Sequence, residues 1–288
     1  MAEIKYDVVI VGAGPCGYMC AYEYNKLNPS AKILLIDKGR DINTRNCPVL
    51  NHKLEKCPVV KKGFPGCLPS CSITCGFGGA GAYSDGKFNI SSEYGGWLNE
   101  YMDDETLLEL IKYCDEINVL FGASSELTNP YTSQVKEIER LAVGAVLKLL
   151  RSNIRHLGTE QNLQILKRYY EHLKSRIDIR FGTTVTDIIV KKNQVCGVII
   201  NNKDKINANY VVFAPGRDGS ILLEEIMEKH NVEMHNNQVD IGVRVETSNI
   251  IMEDINKNLY EGKLVLNTSV GTKVRTFCSN PSGHVVVE

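Results

Sequence analysis

The feature that most constrains the fold is a glycine-rich turn that follows an apolar run near the N-terminus. Residues 7–12 read Asp-Val-Val-Ile-Val-Gly, and Gly12, Gly14 and Gly17 complete the pattern G-x-G-x-x-G. In this pattern the first glycine allows a sharp turn, the second lets a phosphate approach the backbone, and the third lets the next helix pack closely. The segment therefore predicts a β-α-β unit whose helix N-terminus binds a dinucleotide pyrophosphate.

A second apolar run that ends in an acidic residue supports this interpretation. Residues 32–37 read Lys-Ile-Leu-Leu-Ile-Asp, which places Asp37 about 20 residues after Gly17, the spacing at which an acidic side chain contacts the adenosine ribose. We predict that Asp37 and its neighbour Lys38 belong to the same nucleotide site. The alternative is a coincidental glycine turn in an ordinary α/β sheet.

Composition excludes several functional classes. The 288 residues include 33 Lys and Arg against 34 Asp and Glu, for a net charge of −1, whereas a nucleic-acid-binding surface needs a clustered excess of positive charge. The first residues lack the pattern of a secretory signal, and no apolar run approaches the ~20 residues that cross a bilayer. We therefore expect a soluble, cytoplasmic protein without nucleic-acid or membrane partners. Its ten cysteines would then be reduced.

Periodicity along the rest of the chain predicts a three-layer, Rossmann-like α/β domain. Alternating apolar residues between Ile177 and Ile200 predict an antiparallel β-meander. The apolar run from Tyr210 that ends in Ala214-Pro-Gly216 predicts a strand that returns to the central sheet beside the nucleotide. The other predicted elements are helices at Glu105–Phe121, Gln134–Leu150, Thr159–Arg176 and Ser220–His230, and strands at Val239–Val245 and Lys273–Phe277.

A second glycine-rich segment, Gly76–Asn89, has five glycines within its first eleven positions. Glycine weakens helices and strands, so this density predicts a backbone that adopts positive φ angles or passes close to a ligand. A flat aromatic ring system would require such an approach. The residues that we expect to contact the ligand are Gly78, Gly79, Gly81, Ser84, Asp85 and Gly86. A flexible lid without ligand contacts is the alternative.

Five of the ten cysteines lie in the irregular, Cys- and Gly-rich segment 39–90. Three of them, Cys67, Cys71 and Cys75, form a C-x₃-C-x₃-C pattern and are candidate metal ligands. An iron–sulfur cluster needs four thiolates, but the spacing matches neither ferredoxins nor the C-x₂-C pairs usual for zinc. Ordinary reduced thiols and a redox-active dithiol are the alternatives.

Five segments together carry a resemblance to a known family. They are Gly12–Gly17, Gly76–Asn89, Arg155–Thr159, Ala214–Ser220 and Val239–Val245. These segments resemble a poorly characterised family of FAD-dependent dehydrogenases, whose FAD-binding fold is similar to that of glutathione reductase. The resemblance implies FAD as the cofactor, with the first glycine motif and Asp37 on its ADP half. Gly78–Lys87 would then lie along the pyrophosphate and the flavin, and Ala214 and Gly216 would also contact the cofactor.

The resemblance also implies how the chain is divided. Residues 1–95 and 155–235 would form the FAD-binding domain, interrupted by a helical insertion at 96–154. Residues 236–288 would begin an α+β substrate or cap domain. Proteins of this fold return after the cap domain to a strand that ends in Gly-Asp. That motif is not found here, and Val285–Glu288 is predicted to lie within a strand, so we expect an incomplete or shortened version.

Three residues are candidates for catalysis in an FAD-dependent oxidoreductase. Lys87 would stabilise negative charge on the reduced flavin, and Arg155 and His156 would hold a substrate carboxylate or donate a proton. A solvated lysine and a surface turn are the alternatives. NAD(P)H is a candidate electron donor, whereas the substrate and the oligomeric state are not predicted. Two other functions stay open: a non-catalytic nucleotide-binding fragment, and an electron-transfer flavoprotein with an Fe–S cluster or a dithiol.

Overall fold

The computed structural model describes residues 5–57, 67 and 70–282. The chain divides into two compact units. Unit 1 comprises Met1–Gly86 and Leu157–Asn236, and unit 2 comprises Lys87–His156 and Asn237–Glu288. The predicted helical insertion and the predicted start of a cap domain therefore fall in the same unit. The strand predicted at Val285–Glu288 lies outside the described residues.

The regular elements are numbered here in chain order. The strands are β1 (Lys5–Val11), β2 (Ile33–Ile36), β3 (Lys87–Ile90), β4 (Lys148–Leu150), β5 (Asn153–His156), β6 (Asp178–Arg180), β7 (Val185–Lys191), β8 (Gln194–Ile200), β9 (Asp204–Phe213), β10 (Lys263–Asn267) and β11 (Lys273–Arg275). The α-helices are α1 (Pro15–Leu27), α2 (Asp104–Leu120), α3 (Ser133–Gly144), α4 (Thr159–Lys174), α5 (Ser220–Lys229) and α6 (Asn249–Leu259). Short 3₁₀ helices cover Gly79–Tyr83, Leu98–Glu100 and Arg217–Gly219. None of the helices in the described ranges has the length and apolar character needed to span a bilayer.

Unit 1 is built on a six-stranded mixed sheet with the order β6-β2-β1-β9-β8-β7. The first four strands are parallel, and β7, β8 and β9 form an antiparallel meander. Helix α1 packs against β1 and β2 and also contacts α4. Side chains of the meander share one core cluster with alternate residues of β1 and β2. The predicted α/β class with a parallel sheet and a β-meander is confirmed.

Strand β9 joins the two halves of this sheet. Its first residues pair with β8, from Asp204 opposite Ile200, and its later residues pair with β1, as far as Phe213 opposite Val11. Ala214 then donates its N–H to the carbonyl of Val11 at 2.8 Å. The sequence prediction that the run from Tyr210 returns to the central sheet is therefore confirmed.

In its described part, unit 2 contains two small sheets and three α-helices. Strands β3 and β5 pair antiparallel, and β10 lies between β11 and β4. Each helix begins at a side-chain cap, as Asp103, Thr132 and Ser248 accept hydrogen bonds from the first turns of α2, α3 and α6, which satisfies helix N–H groups that have no partner within the helix. A buried cluster of Val135, Ile138, Leu149 and Leu259 packs α3, β4 and α6 together.

Two predicted elements of unit 2 are corrected by the structure. The helix predicted at Gln134–Leu150 ends at Gly144, and Lys148–Leu150 forms β4 instead. Val146 adopts a φ of 60° between them, a conformation that cannot continue a right-handed helix. Val239–Val245 forms no strand, and its apolar side chains are exposed. The alternating apolar pattern of this segment is typical of a strand. Among the described residues, however, no neighbouring strand pairs with it.

Candidate dinucleotide site

The first glycine motif has the geometry that its sequence predicts. Gly12 adopts a φ of 100°, and a Cβ there would overlap the carbonyl of Ala214. A Cβ at Gly17 would overlap the carbonyl oxygen of Gly12, so these two glycines are required by the fold itself. At Gly14 the nearest atom to an added Cβ would be the Cα of Gly79, 3.9 Å away. Of the three glycines in the motif, Gly14 is therefore the one that protein packing does not require.

The N-terminus of helix α1 lies directly after this turn. Gly14 precedes the helix in an extended conformation and provides no side-chain cap, and Pro15 occupies the first turn. Proline is suited to that position because its nitrogen needs no partner there. The first-turn N–H groups and the helix dipole make the α1 N-terminus favourable for an anion.

The second glycine segment packs against the first. The N–H of Gly78 donates to the carbonyl of Ala13 at 2.8 Å. A Cβ at Gly79 would lie 3.1 Å from the Cα of Gly14, and one at Gly81 would lie 3.6 Å from Pro15. The two glycine segments, Gly12–Gly17 and Gly76–Asn89, therefore meet at the α1 N-terminus although they are far apart in sequence.

Asp37 connects the loops that surround this junction. One carboxylate oxygen accepts the N–H of Ala13 at 2.8 Å, and the other accepts the N–H groups of Gly39 at 2.7 Å and Gly76 at 2.9 Å. Asp37 therefore holds three backbone segments together, a structural role that the sequence did not predict. The contact of Asp37 with a ribose stays a prediction. Because both carboxylate oxygens already accept backbone N–H groups, fewer of their lone pairs are available to a ribose hydroxyl.

Arg45 supports the second glycine segment from within. Its guanidinium is buried and donates to the carbonyls of Ser72, Ile73, Phe77 and Gly79 at 2.7–2.9 Å. Burial lowers the pKa of Arg45, against the opposing effect of nearby Tyr83 and Asp37. Within the described residues, the hydrogen bonds of this cation go to neutral carbonyls, so it adds positive potential to the region where a pyrophosphate is predicted to bind.

Aromatic packing fixes the same segment to the helices. Phe77 is fully buried and stacks on Tyr18 of α1 with a centroid distance of 5.5 Å. It also meets Tyr170 of α4 edge-on at 5.3 Å. Asn162 of α4 donates to the carbonyl of Gly81 at 2.8 Å. These contacts hold the glycine-rich backbone in one position.

The last residues of the predicted ligand segment turn the chain away from the glycines. Ser84 accepts the N–H of Gly86 at 3.1 Å, and the carbonyl of Asp85 accepts the N–H of Gly158 at 2.8 Å. Gly86 has a φ of 63°, and a Cβ there would lie 2.8 Å from the Cβ of Asn162. The glycine at 86 is therefore explained by packing, while ligand contacts of all three residues stay predictions.

Lys38, Asp218 and Cys75 form a polar cluster in unit 1, where Lys38 follows β2 and Asp218 follows β9. Lys38 pairs with the carboxylate of Asp218, which also accepts the thiol of Cys75 at 3.1 Å. The hydrogen bond from Lys38, and then that from Cys75, lower the pKa of Asp218. Asp218 follows Ala214 and Gly216 in the turn after β9, where Gly216 has a φ of 64°. Lys38 is thus engaged by a side chain, and its contact with a cofactor stays a prediction.

Lys87 belongs to unit 2, where its side chain is 9% exposed and ion-paired. Its ammonium lies 2.6 Å from the carboxylate of Glu261, which also binds Lys263. It lies 3.5 Å from the carbonyl of Ser279 and 5.6 Å from the ring centre of Tyr260. The alternative of a solvated lysine is therefore wrong, and the predicted role toward a flavin stays a prediction.

Arg155 and His156 differ in burial and in hydrogen bonding, and therefore in their availability to a substrate. Arg155 is buried and forms a bidentate pair with Asp115 at 2.6 and 2.7 Å, with further bonds to the carbonyls of Ser124 and Glu126. These contacts make Arg155 a structural residue and leave its predicted role as a carboxylate ligand without support. His156 is exposed and bonds through Nε2 to the hydroxyl of Tyr260 at 2.8 Å, so proton donation by His156 stays a prediction.

The cysteines do not form a metal site within the described ranges. No group of three or more His, Cys, Asp or Glu side chains in these ranges is arranged to hold a metal ion. The Fe–S cluster weighed for Cys67, Cys71 and Cys75 is therefore not carried further.

Sequence reasoning missed three residues that shape the site, Arg45, Asn162 and Asp218, and it missed the three-loop role of Asp37. Arg45 and Asn162 donate to glycine-segment carbonyls that lie far away in sequence, and the carboxylate of Asp218 accepts the thiol of the distant Cys75. No local pattern predicts such pairings.

Comparisons with known proteins gave structural similarity without sequence similarity. No profile of a known protein family matches the chain, and no curated protein does. L-amino acid deaminase from Proteus vulgaris has a TM-score of 0.44 at 14% identity, over 81% of this chain and 52% of that one. Glycine oxidase from Bacillus cereus has a TM-score of 0.42 at 13% identity, over 79% of this chain and 59% of that one.

THI4 from Thermovibrio ammonificans has a TM-score of 0.40 at 18% identity, over 80% of this chain and 64% of that one. The chain thus spans between about half and two thirds of the length of these three structures. At these scores and identities, the function has to be inferred from the residues of this chain.

Proposed function

We propose that unit 1 binds FAD and that the chain is the flavin-binding part of an oxidoreductase. The observation that carries this proposal is the hydrogen bond from Gly78 to Ala13, which joins the two glycine segments at the N-terminus of α1. A pyrophosphate needs a concave surface of backbone N–H groups without side chains. Each glycine segment has backbone that a ligand can approach. Because the two segments are in contact, together they would suit a long ligand such as a dinucleotide.

The donor set fits the phosphate part of the cofactor. Gly14 would hold the pyrophosphate together with the first turn of α1, because an added Cβ there meets only Gly79 at 3.9 Å and the helix begins without a side-chain cap. A side chain at Gly14 would therefore overlap the bound pyrophosphate and would not overlap protein atoms. The buried charge of Arg45 beneath Gly79 favours an anion at the same place.

FAD, when bound, would supply the electron chemistry by accepting a hydride. The residues of unit 1 would bind and orient it: the glycines by close backbone approach, and Arg45 and Phe77 by holding the second glycine segment still. NAD(P)H stays a candidate electron donor, and the substrate is not specified by any contact described above. His156 and Lys87 are retained as candidates for proton donation and charge stabilisation, to be tested by mutation.

The test uses the purified chain and two matched glycine variants. Gly14→Ala should fold with the stability of the unmodified chain, because its Cβ enters space without protein atoms, and should lose FAD binding by at least about tenfold. Gly96→Ala is the control, since a Cβ there meets nothing within 4 Å and lies outside the site. Binding is measured by titration with FAD, followed by the visible absorbance and quenched fluorescence of bound flavin.

Two results would contradict the proposal. If Gly14→Ala binds FAD as tightly as the unmodified chain, the pyrophosphate does not lie at the α1 N-terminus. If the unmodified chain binds ADP but not FAD, unit 1 is a nucleotide-binding module without a flavin site, which is the alternative function. The first conclusion requires equal thermal unfolding of the two variants, whereas the second rests on the unmodified chain alone.

A further inference from the structure

The segment Val239–Val245 of unit 2 presents alternating apolar side chains to solvent. Four of its seven residues are apolar and 76–95% exposed: Val239, Ile241, Val243 and Val245. Successive side chains of an extended chain point to opposite faces, so these four would share one face of a strand. β-Branched residues are enriched in strands, and a row of exposed apolar side chains marks an interaction surface.

The backbone of this segment is as open as its side chains. Within the described residues, the N–H and C=O groups of 239–245 form no backbone hydrogen bond, and no strand pairs with them. In a segment with a strand pattern, such unpaired groups are a template for a strand of another chain. Pairing would also cover part of the apolar face, because the side chains of neighbouring strands contact each other.

The other face of the same strand would carry a charge pattern that is complementary to itself. Asp240 lies two positions before Gly242 and Arg244 two positions after it, and all three residues are exposed. When two copies pair antiparallel with Gly242 opposite Gly242, Asp240 of each copy lies opposite Arg244 of the other. Two ion pairs can then form, since directly opposite residues share a face. In this register every apolar residue of the segment also lies opposite an apolar residue.

Other registers are less favourable for the same residues. A shift of one residue would place apolar side chains opposite charged ones. A shift of two residues removes both Asp240–Arg244 pairs, and in one direction it places Asp240 opposite Glu246. A parallel pairing in register would place each charge beside its own copy. The charge pattern therefore selects an antiparallel pairing about Gly242, whose two-fold symmetry gives a closed dimer.

We propose that residues 239–245 form an interaction surface for a second copy of this chain, which pairs with them as an antiparallel strand about Gly242. The self-complementary charges and the exposed apolar face together carry this inference. A two-stranded ribbon has little stability of its own, so the dimer is weak and reversible. The proposal does not rest on FAD binding, because these residues lie outside unit 1.

The experiment measures self-association of the purified full chain by sedimentation velocity between about 1 and 100 µM. The unmodified chain should shift from monomer toward dimer across this range. Arg244→Asp brings two negative charges together at each pair, and Asp240→Arg brings two positive charges together. Each single variant should weaken the dimer by at least about tenfold. The double variant, Asp240→Arg with Arg244→Asp, exchanges the two charges and should restore the dimer to within about threefold.

Arg140→Asp is the matched control for these variants. It makes the same change of charge as Arg244→Asp at an exposed position of unit 2, on helix α3, and should leave the dimer unchanged. Thermal unfolding of each variant is measured alongside, and the exposure of Asp240 and Arg244 predicts the midpoint of the unmodified chain for all of them.

A second measurement uses the unmodified chain alone and so does not depend on the folding of any variant. Amide hydrogen exchange at 239–245 should be slower at about 100 µM than at about 1 µM, because the paired N–H groups are protected in the dimer. A chain that stays monomeric at about 100 µM, or a double variant as weak as the single ones, would overturn the proposal. Slow exchange that does not change with concentration would also overturn it, since the segment would then pair within its own chain.

Discussion

Three glycines of one motif have different physical roles in this structure. Gly12 and Gly17 are required because the backbone itself fills the space of a side chain, with the carbonyls of Ala214 and Gly12 in the way. Gly14 has no such neighbour. The motif therefore combines two positions that serve folding with one that serves a ligand, and substitutions should separate these roles.

Replacement of Gly17 by alanine should destabilise the protein strongly. The new methyl group would overlap the carbonyl oxygen of Gly12, so α1 must move away from β1 at a cost of more than about 2 kcal/mol. The free energy of unfolding, measured by urea denaturation, should fall accordingly. The Gly96→Ala control should change it by less than about 0.5 kcal/mol. An unchanged midpoint for Gly17→Ala would show that α1 does not pack on the turn as described.

Arg45 should be needed for the second glycine segment to stay ordered. Arg45→Ala removes four bonds to the carbonyls of Ser72, Ile73, Phe77 and Gly79, and hydrogen bonds to charged groups contribute about 1.5–3 kcal/mol each. We expect faster amide hydrogen exchange at Gly76–Tyr83. Arg45→Lys should restore little, because an ammonium cannot reproduce the planar fork. Exposed Arg140→Ala is the control and should leave the exchange of this segment unchanged.

The site was predictable where the signal is local and was missed where it is not. Gly12, Gly14 and Gly17 follow a fixed spacing after a strand, so their turn could be predicted from the sequence. The partners of Arg45 and of Asp37 depend on how loops fold together in space. Nothing in the neighbouring residues encodes that arrangement.

The elements show the same limit at a larger scale. The β7–β8 hairpin was predictable because Lys192 and Asn193 separate two apolar runs. In the structure both residues adopt the positive φ angles of a two-residue turn. The strand that returns to the sheet was predictable from its apolar run. The end of α3 at Gly144 and the unpaired Val239–Val245 were not, because a helix stop and a strand partner are set by tertiary context.

Asp187 links two elements and should make their association sensitive to acid. Its carboxylate on β7 bonds to Lys229 and His230 at the end of α5. Burial opposes ionisation, but the bonds from Lys229 and His230 prevail and lower the pKa of Asp187. Because the folded pKa lies below the unfolded value of about 3.9, this stabilisation is complete above that value and is lost as pH falls through the folded pKa.

The Asp187→Asn variant should therefore be less stable than the unmodified chain at about pH 7, by about 2 kcal/mol. The difference should shrink as the pH falls below about 4. Urea unfolding across this range provides the measurement, and Asp204→Asn on the exposed start of β9 serves as the control. A difference that does not change with pH would mean that the charge of Asp187 is not what joins β7 to α5.

At the scale of the whole molecule, the chain consists of two units, each with a hydrophobic core. In unit 1 the core cluster joins the parallel strands to the meander. Unit 2 has its own apolar cluster and in addition encloses a group of three charges, in which Glu261 binds both Lys87 and Lys263. Such a group is weak support for stability while it is complete, but it becomes costly when one member is removed.

Glu261→Gln should destabilise unit 2 in particular. Two buried ammonium groups would lose their shared carboxylate, at a cost of about 3–5 kcal/mol. Hydrogen exchange should accelerate in β10 and β3 of unit 2, while the β1 strand of unit 1 should be less affected, because local unfolding follows cooperative units. Glu137→Gln removes an exposed pair with Arg140 and, as the control, should leave hydrogen exchange in both units unchanged, because solvent screens exposed ion pairs. Equal acceleration in β1 would show that the units unfold together.

The position of β9 between β1 and β8 has a consequence for how the protein is made. A ribosome releases β1 and β2 early, yet the second neighbour of β1, from Asn207 to Phe213, emerges only after most of the chain has been translated. Until then the backbone N–H and C=O groups on one side of β1 have no strand partner. An unpaired strand of this kind can pair with other chains. The yield of folded protein should therefore depend on synthesis speed and chaperone supply, and not on the final stability alone.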